Sequence, residues 1–269
     1  MTDAVLYEKQ GNVAILTFNE PEALNPLSTE RWLGLLQGME KANADDDIGA
    51  IIITGAGRAF CAGADIGKTF LPKLNGDEEY EADDHRLGGL GLPFDWLQIA
   101  RESKPLIAAV NGIAVGVGAT CILPCDIIIA DEDAQFGYLF AKMGITPELG
   151  SSYYLQARVG FTAASELVMT GRLIKADEAL RIGLVNRVVP NEELLATAIK
   201  TAKAVTANPT NALQRAKRLL DANREESDAN AIWQKESDAL RESFAQPEHK
   251  EAVYAFLEKR KPDFKKLNN

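Results

Sequence analysis

Histidine is almost missing from this sequence, and neither of the two that occur, His85 and His249, is placed to activate a nucleophile. His85 sits in an acidic stretch, and His249 follows Gln246-Pro247-Glu248, which reads as the start of a surface helix. A Ser-His-Asp or Cys-His hydrolase is therefore disfavoured. Cysteine is scarce too. Cys61, Cys121 and Cys125 form an odd set that cannot fully pair, which fits a reducing compartment. The last two stand close enough for half a zinc site, but no second ligand pair completes it. No glycine-rich loop ends in Gly-Lys-Ser or Gly-Lys-Thr, and Gly112, Gly116 and Gly118 miss the G-x-G-x-x-G order. No apolar run approaches bilayer length. Met1-Thr2-Asp3-Ala4 lacks a secretory start, and the tail Lys266-Leu267-Asn268-Asn269 is not a peroxisomal address. The expected location is the cytoplasm. Positive charge is in deficit, with a net charge of −10, which argues against a general nucleic-acid or membrane-surface role.

What is present is an ordinary globular composition, 46% hydrophobic and 25% charged, without internal repeats or low-complexity tracts. Val5 to Tyr7 and Val13 to Phe18 flank Gln10-Gly11-Asn12 and read as a hairpin. Ser28 caps a helix through about Ala42, with Trp32, Leu33, Leu35, Leu36 and Met39 at helical spacing, and a strand covers Ile48 to Thr54. This β, β, α, β order suggests crossover units in one sheet of an α/β fold. Lys68 to Gly91 is acidic and aperiodic and reads as a mobile surface loop or a poorly ordered helix start. A helix over about Phe94 to Glu102 ends at Lys104-Pro105. Then come a strand over Leu106 to Val110, a short helix over Ala119 to Leu123 and a strand over Ile127 to Ala130. Helices follow from Thr162 to Gly171 and from Ala176 to Gly183. From Asn191 onward only helices are expected, with Pro209 at a first helical position. Residues 1–190 thus form an α/β core, and residues 191–269 a helical region whose apolar faces need partners on its own core or on a neighbouring subunit.

Two glycine turns follow apolar strands: Ala59-Phe60-Cys61-Ala62-Gly63-Ala64-Asp65, and Gly112 through Gly118. Glycine lets a chain turn sharply and lets a ligand approach its backbone. Ala64 N–H, just past Gly63, and Val117 N–H, between Gly116 and Gly118, are candidate donors to one carbonyl oxygen, the second aided by the adjacent helix N-terminus. Taken singly, either turn is better explained by close packing. A lone glutamate, Glu148, lies in Pro147-Glu148-Leu149-Gly150-Ser151-Ser152; it serves either to move a proton or as an acid supporting the following helix.

Several phrases, in order along nearly the whole chain, resemble the crotonase (enoyl-CoA hydratase/isomerase) family. They are Asn19-Glu20-Pro21-Glu22-Ala23-Leu24-Asn25, Ala59 to Asp65, Lys104 to Gly112, Cys125-Asp126-Ile127, Ala134-Gln135-Phe136-Gly137 and Phe256 to Pro262. The resemblance implies a spiral of ββα units with a C-terminal helical trimerisation region, assembling as trimers or paired trimers. It also implies an acyl-CoA substrate, whose CoA is part of the substrate and not a separate cofactor. By that similarity Ala64 and Val117 hold the thioester oxygen, Ala23, Ala62, Asp65 and Ile66 border the adenine and pantetheine, and Gly63, Gly116, Thr120 and Phe140 complete the substrate-binding set. Lys259-Arg260-Lys261 either reaches a CoA phosphate or is a solvated helix end. The acyl group would lie along Lys68 to Trp96 (Leu71, Leu74, Leu90, Leu92, Phe94) and near Phe140.

The family pattern breaks at two positions. Thr120 and Phe140 stand where hydratases of the family carry the two glutamates that hold a water. The phrase around Glu148 resembles the 3,2-enoyl-CoA isomerase branch, in which a glutamate there is the single base. The expected activity is double-bond isomerisation through a thioester enolate. The alternatives are enoyl-CoA hydration and acyl-CoA binding without catalysis.

Overall fold

The computed structural model describes residues 4–75 and 95–264. Val5–Gln10 (β1) and Val13–Phe18 (β2) form the expected hairpin, with Val5 opposite Phe18 and Gln10 opposite Val13. Gly11 takes the left-handed turn position (φ 64°) that glycine reaches without a Cβ clash. Ser28 accepts a hydrogen bond from Arg31 N–H and caps the helix Thr29–Ala44, which buries Trp32, Leu35, Leu36 and Met39 as the spacing predicts.

From there the chain alternates between two sheets, not one. Ala50–Gly55 (β3), Leu106–Val110 (β5) and Ile127–Asp131 (β7) join the hairpin and Arg187–Val189 (β10) in a six-stranded sheet of order β1-β2-β3-β5-β7-β10, in which Ala59–Cys61 (β4), Ile113–Val115 (β6), Gln135–Gly137 (β8) and Leu173–Lys175 (β9) take no part. Those four build a second sheet of order β4-β6-β8-β9. Beyond the hairpin the large sheet is parallel, and so are β4, β6 and β8. Each of β3, β5 and β7 therefore runs through a short corner into a strand of the second sheet. That is the repeating unit implied by the family resemblance, and the two turns expected after the apolar strands are these corners and their three-residue strands.

Side chains staple the corners in sequence. Asn25 Nδ2 donates to the carbonyls of Ala56 (2.9 Å) and Ala59 (2.7 Å). Asn111 Oδ1 accepts from Gly55 N–H (3.0 Å) while its Nδ2 donates to Gly57 O (2.9 Å). Asp131 Oδ2 accepts from Gly112 N–H (3.1 Å) and from Asn191 Nδ2 (2.5 Å). Buried polar backbone at a sharp corner must find such partners or pay for their absence.

The central parallel strands are buried on both faces, which is why they read as unbroken apolar runs. One face carries Leu16, Phe18, Ile51, Ile53 and Leu106 into the main core, where Phe60 of the second sheet joins them. Val13, Ile15, Ile52, Ile107, Ala109 and Ile129 on the other face are covered by Leu194, Ala198 and Ala202 of the helix Leu194–Val205. Three further helices follow, Thr210–Ala222, Ala229–Phe244 and Pro247–Leu257. Pro209 is the N-cap of the first of these, one residue ahead of its expected position. Leu220, Trp233, Phe244, Phe256 and Leu257 on these helices are exposed. Among the described residues no helix is long and apolar enough to cross a membrane.

Candidate active site

The second sheet places both glycine turns side by side. After β4, Leu27 N–H donates to Gly63 O (2.7 Å) and Asp65 N–H donates to Leu27 O (3.4 Å). These two bonds bracket Ala64 in a parallel bridge, so its own N–H faces the opposite side. After β6, Gly116 (φ 53°, ψ −126°) caps a one-turn helix, Val117–Thr120. That helix begins two residues before the expected Ala119, so Val117 is its first residue and not a loop residue ahead of it. Ala119 and Thr120 N–H both return to Gly116 O (2.9 and 3.0 Å), leaving Val117 N–H as an orphan donor of the first turn. Neither Ala64 N–H nor Val117 N–H has an acceptor among the described residues.

Both turns need glycine for backbone conformation: Gly63 (φ 103°) and Gly116 (φ 53°) lie where L side chains rarely go, and a Cβ on Gly63 would also stand a tight 3.2 Å from Val115 O. Ala64 and Gly116 are half-buried, and Val117 is buried.

Glu148 comes to the same place from a distant loop. Leu149 (φ 50°) and Gly150 (φ 66°) are both left-handed, and Ser151 N–H donates to Glu148 O (2.9 Å), which folds the loop back at the head of the helix Ser151–Thr170. That span breaks at Gly160 (φ 76°, ψ 163°), so the helix expected from Thr162 is its second half. Thr120 Oγ1 hydrogen-bonds Glu148 Oε1, and Oε2 is buried with no partner among the described residues. Burial pushes the Glu148 carboxyl up to about 7, against the opposing effect of the Thr120 bond. A carboxyl with an unpartnered oxygen and a pKa near neutrality can both take and return a proton.

The other expected residues divide. Phe140 is buried, and its carbonyl accepts from Ile145 N–H (3.0 Å), fixing the loop that leads to Glu148. Ala62 N–H donates to Leu24 O (2.9 Å), which laces the Pro21–Ala23 turn to the first glycine turn, so Ala23, Ala62, Asp65 and Ile66 share one rim, with Ala23 and Ile66 exposed. Asp65 Oδ1 accepts from Lys68 N–H (3.2 Å) and caps the helix Ile66–Thr69. Trp96, expected along the acyl group, is instead core: it packs edge-on against Trp32 and donates to Cys121 O (3.1 Å). Leu71 and Leu74 are exposed, while Leu90, Leu92, Phe94, His85 and most of the acidic stretch lie outside the described residues. Arg260 is engaged within its own chain by Glu251 (2.6 Å) and Glu258 (2.5 Å).

Sequence reasoning did not find the role of Thr120 as the partner of Glu148, nor the stapling roles of Asn25, Asn111 and Asp131. The one local signal is Asn111 directly before Gly112. All three cysteines are buried thiols, with Cys61 and Cys125 pushed up to about 12 by burial. Among the described residues no group of His, Cys, Asp and Glu is arranged to hold a metal ion.

The profile of the enoyl-CoA hydratase/isomerase family matches residues 8–267. The short-chain-enoyl-CoA hydratase of Clostridium acetobutylicum is 39% identical over 258 residues, covering 96% of this chain and 95% of that protein. The crotonyl-CoA hydratase of Syntrophomonas wolfei is 38% identical over 261 residues, covering 97% of each. Among solved structures, an enoyl-CoA hydratase from Polaromonas sp. JS666 superposes with a TM-score of 0.86 at 30% identity, covering 96% of this chain and 98% of that one. DspI from Pseudomonas aeruginosa superposes with a TM-score of 0.85 at 33% identity, covering 97% of each.

Proposed function

The chain belongs to the enoyl-CoA hydratase/isomerase (crotonase) family, and from that premise we propose that it binds an acyl-CoA thioester and moves a double bond from the 3 to the 2 position. The single observation that carries this reading is a buried carboxylate: Glu148 Oε1 is held by Thr120 and Oε2 has no partner among the described residues, while Phe140 supplies no second acid. Isomerisation needs only one.

In the proposed reaction the thioester oxygen sits between Ala64 N–H and Val117 N–H. Glu148 Oε2 takes a proton from C2, and the electron pair of that C–H bond moves into the conjugated system and onto the thioester oxygen. Each backbone donor aimed at this enolate oxygen is worth about 3–4 kcal/mol in the transition state. The same carboxylic acid then delivers the proton to C4, the 3,4 double bond becomes a 2,3 double bond, and no water or second reactant is consumed. CoA enters as part of the substrate. The exposed apolar residues Trp233, Leu240 and Phe244 support self-association of the C-terminal helices in a trimer.

The test is the conjugation of a medium-chain 3-enoyl-CoA, followed by the ultraviolet absorbance of the 2-enoyl thioester, beside a hydration assay on a 2-enoyl-CoA. Fast conjugation abolished by Glu148→Gln supports the reading. Hydration is the second reading, and the names of the Clostridium and Syntrophomonas relatives favour it. It would need Glu148 and another acid to hold a water, and incorporation of solvent oxygen into a 3-hydroxyacyl product would establish it. CoA-ester binding with silence in both assays would point to a pocket without this chemistry.

A further inference from the structure

We propose that Thr120 is a positioning residue that tells the two oxygens of Glu148 apart: its hydroxyl holds Oε1 and leaves Oε2 as the oxygen that takes and returns the proton. This rests on the reading of Glu148 as the acid/base. An ionised carboxylate can only accept, and a threonine hydroxyl carries a single proton, so with Glu148 charged the bond must run from Oγ1 to Oε1. Oε2 is buried and keeps its lone pairs without a partner among the described residues. When the proton sits on Oε2, Oγ1 can keep its bond to Oε1, so the carboxyl does not turn over between the two halves of the reaction. The other acceptor within reach of the hydroxyl, Val117 O, is distant at 3.4 Å.

The position of Thr120 gives the arrangement its rigidity. It is fully buried and is the fourth residue of the one-turn helix whose first residue, Val117, offers the orphan N–H. One turn of backbone thus fixes both the donor to the thioester oxygen and the group that aims the base. A hydroxyl donating to the carboxylate also favours the charged form and offsets part of the effect of burial.

Thr120→Val keeps the shape and removes the hydroxyl, and Thr120→Ser keeps the hydroxyl; Thr120→Ala stands in should the valine variant fail to fold. In Thr120→Val the acidic limb of the kcat profile is expected to move up by about one pH unit or more, since the lost bond favoured the carboxylate. At pH 7 kcat should fall about tenfold while KM changes by less than about twofold, and Thr120→Ser should restore both. In parallel, pH-titrated infrared difference spectra of the unliganded protein, with the Glu148 band identified by its loss in Glu148→Gln, read the same ionisation without turnover. An upward shift of that band in Thr120→Val alongside an inactive wild type would sink the isomerase reading and keep the Thr120–Glu148 hold. Unchanged profile and unchanged band in Thr120→Val overturn the proposal.

Discussion

A side-chain carbon on Gly118 would stand 2.4 Å from the carbonyl oxygen of Cys61, and 2.7 and 2.8 Å from its Cβ and Sγ. The two turns therefore interlock at these residues, and the neighbour that would have to give way is backbone. Gly118→Ala should push β4 away from the Val117–Thr120 helix and part the two N–H donors. The expected cost is about 1–3 kcal/mol in urea denaturation and, for a shift near 1 Å, about a hundredfold in kcat/KM. Wild-type kinetics in a folded Gly118→Ala protein would show that the turns do not need this contact.

Glu148→Gln should lower the isomerisation rate about a thousandfold, within the range a positioned general acid/base supplies. Glutamine keeps the volume and can still accept from Thr120, so CoA-ester affinity measured by calorimetry should stay within about threefold. As the proposed base, Glu148 is active in the wild type only as carboxylate. With the carboxyl raised to about 7, kcat/KM should fall as pH drops through that value. A rate that is flat from pH 5 to pH 8 would exclude Glu148 as the base.

The same raised carboxyl makes a stability prediction of opposite slope. Its ordinary value of 4.5 applies to the unfolded chain, so between about 4.5 and 7 the folded state binds the proton and the unfolded state does not. Stability from this group is therefore fully present below about 4.5 and is lost as pH rises through about 7. The loss has an upper bound of about 3 kcal/mol. Glu148→Gln removes it, so the variant should gain on the wild type in urea midpoint at pH 8 and lose that advantage at pH 5. Parallel pH dependences of the two proteins would contradict this.

Much of the large sheet was legible because of how it is buried. β3, β5 and β7 are covered on both faces and read as continuous apolar runs, and Ser28 announced its helix by the capping rule. The second sheet was not legible. β4, β6, β8 and β9 are three residues each, too short for any alternation to show, and β4 and β6 run straight into the glycine turns that drew attention instead. Glu148 stood out because other chemistry was missing and its phrase resembled a known branch. Its partner did not, because Thr120 lies 28 positions away and only the tertiary fold joins them. Asn25, Asn111 and Asp131 were invisible for a related reason: most of their partners are main-chain groups of other corners, and a main-chain group leaves no trace in residue identity.

Asn25 offers the last test. It is fully buried with a left-handed backbone (φ 54°), a region asparagine tolerates better than alanine. Its side chain accepts from Glu20 N–H (2.8 Å) and donates to Ala56 O and Ala59 O. Asn25→Ala would strand one donor and two acceptors at the corner before β4, and an unpaired buried polar group costs about 1–3 kcal/mol. Allowing for water reaching the half-buried Glu20 end, a net loss of about 2–4 kcal/mol in urea denaturation is expected. The effect on function should be selective. The loop that Asn25 anchors is laced to the first glycine turn through Leu24 O with Ala62 N–H and Leu27 N–H with Gly63 O, and it carries Ala23 at the rim. On the reading that this rim borders the CoA portion of the substrate, loosening the loop weakens a contact held equally in ground and transition states. KM should therefore rise more than kcat falls. Were kcat to collapse with KM unchanged, the loop would be setting the Ala64 donor and not the rim.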